Sequence, residues 1–248
     1  MIKDDNTITK ESLRKSGFDS VFAPRDTKGS GGVMNDEFIV YDPNQVLPQF
    51  IIHFGSDNNE TINALMRKTD LQVSAQPFSR KSVIPSKRAI NSDDPFELEC
   101  MVVEAFFDKV MKLHPSPIHK KIFKVDFIFN KTLQSLFDAK KAEFARKRIP
   151  TDIIRAFHGT QSGNVDSILK TNLNRKVGQV YGSGYYFSEF PQVSQGYGDA
   201  LILFKVMPGT EYTGNSSTEH VNNDRYQCRK VMNAIARNNN SSLGYVRH

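Results

Sequence analysis

Two short stretches contain the residues whose types and spacing suit binding chemistry. His158 stands directly before Gly159 and Thr160, and a glycine-rich stretch over residues 181–188 ends in Tyr-Tyr-Phe-Ser. A strand that leads into His-Gly-Thr presents an imidazole, an open glycine backbone and a hydroxyl at the rim of a sheet. Glycine also lets a planar ligand approach the main chain closely. Together the two stretches predict a pocket in which a carboxamide can form two hydrogen bonds.

Ser194 and Tyr197 extend this pattern, because a spacing of three puts a hydroxyl and an aromatic ring on one side of a helical turn. The glycine-rich stretch is not a dinucleotide-binding fingerprint, since residues 185–187 continue as a strand where the fingerprint needs a helix. On such a strand Tyr185 and Tyr186 face opposite ways, so at most one lines a cleft on a given face. Each residue alone is more often a packed residue than a functional one, so the interpretation depends on their combination.

Hydrophobic periodicity predicts the elements that position these residues. Residues 98–113 repeat apolar side chains at helical spacing, and His114-Pro115 ends the run. The predicted strands lie at 37–42, 49–54, 123–129, 153–157, 185–187 and 201–206, and the predicted helices at 98–113, 133–144 and 165–169. Pro48 is expected to bar strand continuation at its position. The fold class is therefore α+β, an antiparallel sheet with helices packed on it.

Composition restricts the class of protein. No run of eighteen apolar residues occurs and the first thirty residues are polar, so we expect a soluble, intracellular protein of the cytoplasm or nucleus without a membrane segment. Cys100 and Cys228 lie far apart without a nearby histidine, which predicts neither a metal site nor a disulfide framework. The net charge of +6 permits nucleic-acid binding, but the basic clusters lack interleaved aromatic residues and are expected to be solvated.

The spaced motifs resemble the catalytic domain of the poly(ADP-ribose) polymerase superfamily of ADP-ribosyltransferases. The resemblance rests on residues 158–160, 181–188, 194–197 and 201–209, and on an Asn-x-x-Leu helix start within 122–133. It covers residues 93–212 and implies a split antiparallel β-sheet with flanking helices. It also implies transfer of ADP-ribose from NAD, the co-substrate, to an acceptor, with release of nicotinamide and no need for a metal.

One family element stands at the opposite end of the chain. The family's glutamate-bearing strand is absent after Gly209, whereas residues 36–54 match that strand and the final strand. The resemblance therefore implies a circular permutation, with the glutamate strand in residues 1–55, a linker at 56–92, the main core at 93–212 and a polar tail at 213–248. Two alternatives are that residues 1–55 complete a neighbouring subunit in a domain-swapped oligomer, or that they are the remnant of a lost preceding copy.

The resemblance also implies roles for individual residues. His158, Tyr186 and Glu37 would form the catalytic triad, in which Glu37 favours the positive charge that develops as nicotinamide leaves. The remaining NAD-binding residues follow from the same motifs. His158 would hold the adenosine ribose, Gly159 and Ser194 the carboxamide, Tyr186 and Tyr197 the ring, Thr160 a ribose and Arg175 the pyrophosphate, with Phe187 also in the NAD site.

The family pattern leaves the acceptor open. Residues 171–180 are brief, so the loop that covers the donor site in longer family members is abbreviated here, and Arg175 or Lys176 would offset the weaker grip. Residues 26–35 would lie on the acceptor side. We expect a protein acceptor and favour mono- over poly-ADP-ribosylation slightly. The alternatives are a non-catalytic NAD or ADP-ribose reader and, less favoured, a nucleic-acid binder.

Overall fold

The chain is described here by a computed structural model, which covers residues 10–23, 37–55, 78–84, 94–113, 121–174, 177–179 and 182–213. The helices in these ranges are α1 (Lys10–Lys15), α2 (Pro95–Leu113), α3 (Lys131–Arg146), α4 (Val165–Thr171) and α5 (Pro191–Gln195). The strands are β1 (Ser20–Ala23), β2 (Glu37–Val40), β3 (Val46–Gly55), β4 (Ser79–Val83), β5 (Lys121–Phe129), β6 (Ile154–Thr160), β7 (Val177–Gln179), β8 (Gly182–Phe187), β9 (Ala200–Val206) and β10 (Glu211–Thr213). None of the described helices is long and apolar enough to cross a membrane.

The strands form two five-stranded sheets that pack face to face. Sheet A has the order β10-β1-β2-β8-β7 and sheet B the order β4-β5-β3-β9-β6. All described pairings are antiparallel except that of β1 with β10. Apolar side chains of both sheets, among them Phe38 and Phe187 of sheet A and Ile51 and Phe204 of sheet B, share one buried cluster. The α+β class is confirmed.

The predicted break at Pro48 is wrong, because β3 runs through it for ten residues, Val46–Gly55. The register of β3 on β9 shifts between Pro48 and Phe50, so the ladder is irregular where proline has no N–H to donate. The strand therefore passes proline by means of a local irregularity and stays at the centre of sheet B.

Helix α2 confirms the helical spacing of residues 98–113, but not every apolar side chain in that run faces the core. Its buried residues include Cys100, Val103, Phe107 and Val110, which pack on sheet B, while Leu98 is 42% exposed. Apolar residues occur nearly all round this helix, and burial of the Phe106–Phe107 pair rotates the core-facing stripe away from Leu98. Periodicity thus located the helix without deciding its face.

Helix α3 begins at the position that its sequence predicts. The side chain of Asn130 accepts a hydrogen bond from the backbone N–H of Leu133 at 3.1 Å and donates to the carbonyl of Leu169 at 2.8 Å. The first bond caps the helix and the second joins it to α4. Leu133, Phe137 and Phe144 are buried as predicted, whereas Leu136 is 44% exposed.

A strand, β4, lies within the predicted linker at residues 56–92. Strand β4 has the sequence Ser-Arg-Lys-Ser-Val, only Val83 is buried, and it pairs with β5 at the edge of sheet B. This edge strand lacks the alternating apolar pattern that reveals a strand in sequence, because four of its five side chains, on both faces, are exposed. The sequence also predicts short helices at 60–68 and 225–236, and both ranges lie outside the described residues, as does most of the predicted tail.

Candidate active site

A cavity of about 330 Å³ opens beside β6 and β8, the two strands that carry the histidine and tyrosine motifs. Its volume lies within the range of small-molecule sites. The lining residues are His158, Gly159, Thr160, Gln161, Asn164, Ser167, Ile168, Leu173, Asn174, Gly184, Tyr185, Tyr186 and Tyr197. The cavity therefore combines backbone, hydroxyl, amide and aromatic groups around one histidine.

His158 lies within β6, which continues to Thr160. The His-Gly-Thr motif is therefore part of the strand, and the chain turns only after Thr160. Its Nδ1 donates to the backbone carbonyl of Tyr186 at 2.9 Å. A carbonyl only accepts, so this contact assigns the proton of the neutral ring to Nδ1 and leaves Nε2 as an acceptor. Burial lowers the pKa of His158, and the carbonyl contact raises it by less. The ring is consequently neutral near pH 7, and its Nε2 can accept a hydrogen bond from a hydroxyl.

The backbone of Gly159 packs directly against α5 and the turn after that helix. A Cβ atom built on Gly159 would lie 1.6 Å from the carbonyl oxygen of Ser194 and 3.3 Å from the Cβ of Tyr197. Gly198 is equally close to β6, because its Cβ would lie 2.1 Å from the carbonyl oxygen of Thr160. These two glycines let α5 and the turn after it rest on the end of β6, with Tyr197 next to Gly159.

Ser194 is buried in α5, and its hydroxyl donates to the carbonyl of Phe157 at 2.9 Å. Donation in that direction leaves the oxygen lone pairs as the acceptors. The backbone N–H of Tyr197 donates to the carbonyl of Ser194 at 3.1 Å, so the predicted helical turn over these residues is present. Ser194 thus packs behind the cavity, while Tyr197 stands in its wall.

Glu37 begins β2, far from the other candidate residues in sequence. Strand β2 pairs with β8 of the same chain, with Ile39 opposite Tyr186. The hydroxyl of Tyr197 donates to Oε1 of Glu37 at 2.6 Å. Burial raises the pKa of Glu37, and the Tyr197 hydrogen bond lowers it by less. The structure therefore brings the carboxylate to the rim of the cavity through Tyr197.

The other predicted site residues fall in three places. Thr160 lines the cavity, and its Oγ1 accepts from Asn164 Nδ2 at 3.4 Å. Phe187 is buried below the cavity, where its ring lies 5.4 Å from that of His158, so it supports the imidazole and is not part of the lining. Arg175 lies outside the described residues, as do Lys176 and residues 26–35.

The tyrosine pair of β8 alternates as expected, but both members reach the cavity. Tyr185 belongs to the buried cluster between the sheets and Tyr186 packs against the cluster on the opposite face of sheet A. The cavity lies at the end of this sheet and is lined by both residues. The expectation that at most one of the two tyrosines lines the cleft is therefore wrong for this cavity.

Sequence reasoning missed one wall of the cavity. Gln161, Asn164, Ser167 and Asn174 are polar residues on the turn after β6, on α4 and just beyond it. The signal was the spacing of Asn164 and Ser167, which places an amide and a hydroxyl on one side of the helix start. Among the described residues, no group of three or more His, Cys, Asp or Glu side chains is arranged to hold a metal ion.

One family model matches the part of the chain that contains this site. Residues 99–210 match the family model of the poly(ADP-ribose) polymerase catalytic domain. The matched range includes β6, β8, α5 and β9, and so all cavity-lining residues. No curated protein matches the chain. Glu37 and β2 lie before the matched range.

Proposed function

The chain carries a poly(ADP-ribose) polymerase superfamily ADP-ribosyltransferase domain, and from that premise we propose that it transfers ADP-ribose from NAD to a protein acceptor. Glu37 is the residue on which the proposal depends most. The supporting observation is its 2.6 Å hydrogen bond with Tyr197, a wall residue of the cavity. The carboxylate of Glu37, on a strand outside the matched range, thereby lies beside the motifs inside that range.

In the proposed complex the residues of the cavity bind both the adenosine part and the nicotinamide part of NAD. Nε2 of His158 accepts a hydrogen bond from a hydroxyl of the adenosine ribose, because Nδ1 is occupied by the Tyr186 carbonyl. The backbone of Gly159 and the hydroxyl of Ser194 bind the carboxamide, and the rings of Tyr186 and Tyr197 enclose the nicotinamide. Thr160 contacts a ribose, and Arg175 is proposed to face the pyrophosphate.

The proposed reaction breaks the bond between nicotinamide nitrogen and ribose C1′. The bonding electrons leave with nicotinamide, which departs as a neutral molecule, and positive charge develops on the ribose. Glu37 accepts a hydrogen bond from a hydroxyl of that ribose and stabilises the charge, as a carboxylate does in glycoside cleavage. The acceptor nucleophile then bonds to C1′ and loses its proton, so the products are ADP-ribosylated acceptor, nicotinamide and one proton.

We also propose that the order of elements is circularly permuted relative to the family, with residues 1–55 supplying the glutamate strand and the final strand. Support comes from β3, which follows β2 directly and lies between β5 and β9 in sheet B. Residues 93–212 would then be the main core. Transfer of a single ADP-ribose is the slightly favoured form of the reaction, and gel analysis of the labelled product distinguishes it from chain elongation by the length of the attached chain.

The decisive experiment compares wild type with Glu37→Gln in an incubation with labelled NAD and a lysate. We expect nicotinamide release and label transfer to fall by about 100-fold or more, because the amide cannot stabilise the developing charge as a carboxylate does. Glu143→Gln is the matched control, since Glu143 lies on the surface of α3 and pairs only with Lys140 and Lys147 in the described contacts.

Each outcome has a clear reading. If Glu37→Gln matches wild type in both readouts, the proposed mechanism is wrong. If wild type is stabilised by NAD against heat but releases no nicotinamide, the chain is an NAD reader and not a transferase. Binding to nucleic acid with steep salt dependence and no effect of NAD would instead support the basic-surface alternative.

A further inference from the structure

The hydroxyl of Tyr197 has a partner that a stacking role does not require. A ring that only stacks on nicotinamide would serve equally well as phenylalanine. Here the hydroxyl donates to Oε1 of Glu37 at 2.6 Å, across 160 residues of sequence. Although Tyr197 is 44% exposed, its hydroxyl donates a hydrogen bond to one carboxylate oxygen of Glu37. The pair joins β2 of sheet A to the turn that follows α5.

The backbone around Tyr197 is held firmly enough to make this contact directional. Its N–H donates to Ser194 at 3.1 Å, and its Cβ lies close to Gly159 on one side. On the other side Gly198 packs against the carbonyl of Thr160 without room for a side chain. The backbone from which the Tyr197 side chain projects is therefore fixed against the end of β6.

We propose that Tyr197 is a positioning residue, whose hydroxyl holds Oε1 of Glu37 and thereby aims the second carboxylate oxygen at the ribose of the bound donor. The inference rests on the proposed function, because it assigns a task to the same carboxylate. A glutamate side chain has three rotatable bonds, and a partly buried carboxylate loses part of its hydration. One charge-assisted hydrogen bond restricts the rotation and replaces a water contact.

The ionisation of the pair agrees with this geometry. Burial raises the pKa of Glu37, and the hydrogen bond from Tyr197 opposes that rise, so the bond favours the charged carboxylate. Burial and the contact with Glu37 both raise the pKa of Tyr197, which keeps the phenol protonated and able to donate. Tyr186 of β8 also raises the pKa of Tyr197 by its charge, and these three are the titratable groups that the described contacts place together.

The test is Tyr197→Phe, which removes the hydroxyl and keeps the ring. We expect kcat for nicotinamide release to fall by about 10- to 100-fold, as misplacement of a catalytic group does, while KM for NAD changes less than about threefold. The acidic limb of the pH–kcat profile should move to higher pH, because Glu37 loses the hydrogen bond that lowers its pKa. Tyr197→Leu, which also removes the ring, should raise KM in addition.

A double-mutant cycle with Glu37→Asp separates positioning from other roles of the hydroxyl. The shorter side chain draws the carboxylate away from Tyr197, so adding Tyr197→Phe should cost less than about threefold in kcat. An equal loss in both backgrounds, or a Tyr197→Phe enzyme with wild-type kcat and pH profile, would overturn the inference while leaving the transferase activity intact. Failure of the proposed function itself has a different signature, namely wild type that releases no nicotinamide.

Discussion

Asp126 and His158 occupy one cross-strand row of sheet B, yet their surroundings differ completely. The register runs from His158 to Ile202, Ile51, Asp126 and Ser82, so all five residues share one face. Three strand spacings, about 14 Å, separate the two polar residues. Asp126 has Ile51 on one side in the row, but polar groups of Ser82, His53, Arg80 and Lys124 surround its carboxylate, whereas His158 faces the cavity.

Asp126 is completely buried and its oxygens are fully used. Oδ2 accepts from His53 at 2.7 Å and lies 3.3 Å from both Arg80 and Lys124, while Ser82 donates to Oδ1 at 2.5 Å. Lys124 is itself buried and depends on this carboxylate for its charge partner. The cluster joins β3, β4 and β5, which explains how the polar edge strand β4 is held to the sheet.

His158 makes one hydrogen bond, to a backbone carbonyl, and within the described residues its Nε2 has no partner. The comparison shows how one sheet face supports two tasks. A polar group whose bonding capacity is filled by neighbouring strands stabilises the fold, whereas a polar group that keeps one atom toward a cavity can bind a ligand.

Asp126→Ala is expected to have the largest effect on stability, and it tests whether Asp126 serves the fold while His158 serves ligand binding. Removal of the carboxylate leaves Lys124 buried without a charge partner, so the free energy of unfolding should fall by about 3–5 kcal/mol. Urea denaturation measures this change. Nicotinamide release per folded molecule should stay within about twofold of wild type, since the cluster does not touch the cavity.

His158→Ala is the matched half of that experiment. We expect nicotinamide release to fall by about 100-fold, with a loss of only about 1 kcal/mol in stability, because a single hydrogen bond is removed. The division between the two ends of the row is wrong if the stability losses of the two variants are equal, or if folded Asp126→Ala is inactive.

The next largest effect is expected from Gly159→Ala, which tests the close contact of β6 with α5 beside the cavity. In Gly159→Ala the new Cβ would overlap the carbonyl of Ser194, so α5 must move and stability should fall by about 2–3 kcal/mol, together with activity. Gly163→Ala is the control, because nothing lies within 4 Å of the corresponding Cβ. Its thermal midpoint should equal that of wild type, and a similar loss in both variants would contradict the close contact between β6 and α5.

The smallest effect concerns acid stability and belongs to Asp126. Burial alone would raise its pKa, but the hydrogen bonds and charges of His53, Ser82 and Arg80 hold the pKa at about 2. A carboxyl whose pKa is lowered by folding stabilises the fold at pH values above its pKa in the unfolded chain. That contribution is lost as the pH falls toward 2, the pKa of the folded state. The loss is about 2 kcal/mol between pH 5 and 2.

Urea titrations of wild type and Asp126→Asn at several pH values measure this contribution. The asparagine protein should show a flatter decline of stability between pH 5 and 2, because it lacks the proton uptake of Asp126. Parallel curves for the two proteins would show that other carboxyl groups account for the acid sensitivity.

Much of the fold follows from local pattern. Alternation identified β2 and the strands around β6 and β9, and helical spacing identified α2 and α3. Local chemistry also revealed the cap at Asn130, which needs only the next turn of chain. Each of these features depends on residues within a few positions of one another, so the linear order of side chains contains the information.

The candidate site could be anticipated only in its residue types. His158, Gly159, Thr160, Tyr186 and Tyr197 all line the cavity, but their assigned roles stay predictions until NAD binding is measured. Phe187 shows the limit of motif spacing, because the preceding Tyr185 and Tyr186 line the cavity while the ring of Phe187 packs below His158.

The sequence by itself determined the α+β class, the positions of the main helices and strands, and the group of residues from which a site could be built. Tertiary structure alone decided that α2 turns Phe107 inward, that the polar segment at 79–83 is an edge strand, and that Asp126 gathers four partners. It also decided that the hydroxyl of Tyr197 meets Glu37. The physical reason is register, since pairing of distant strands selects which side chains become neighbours, and no local periodicity contains that choice.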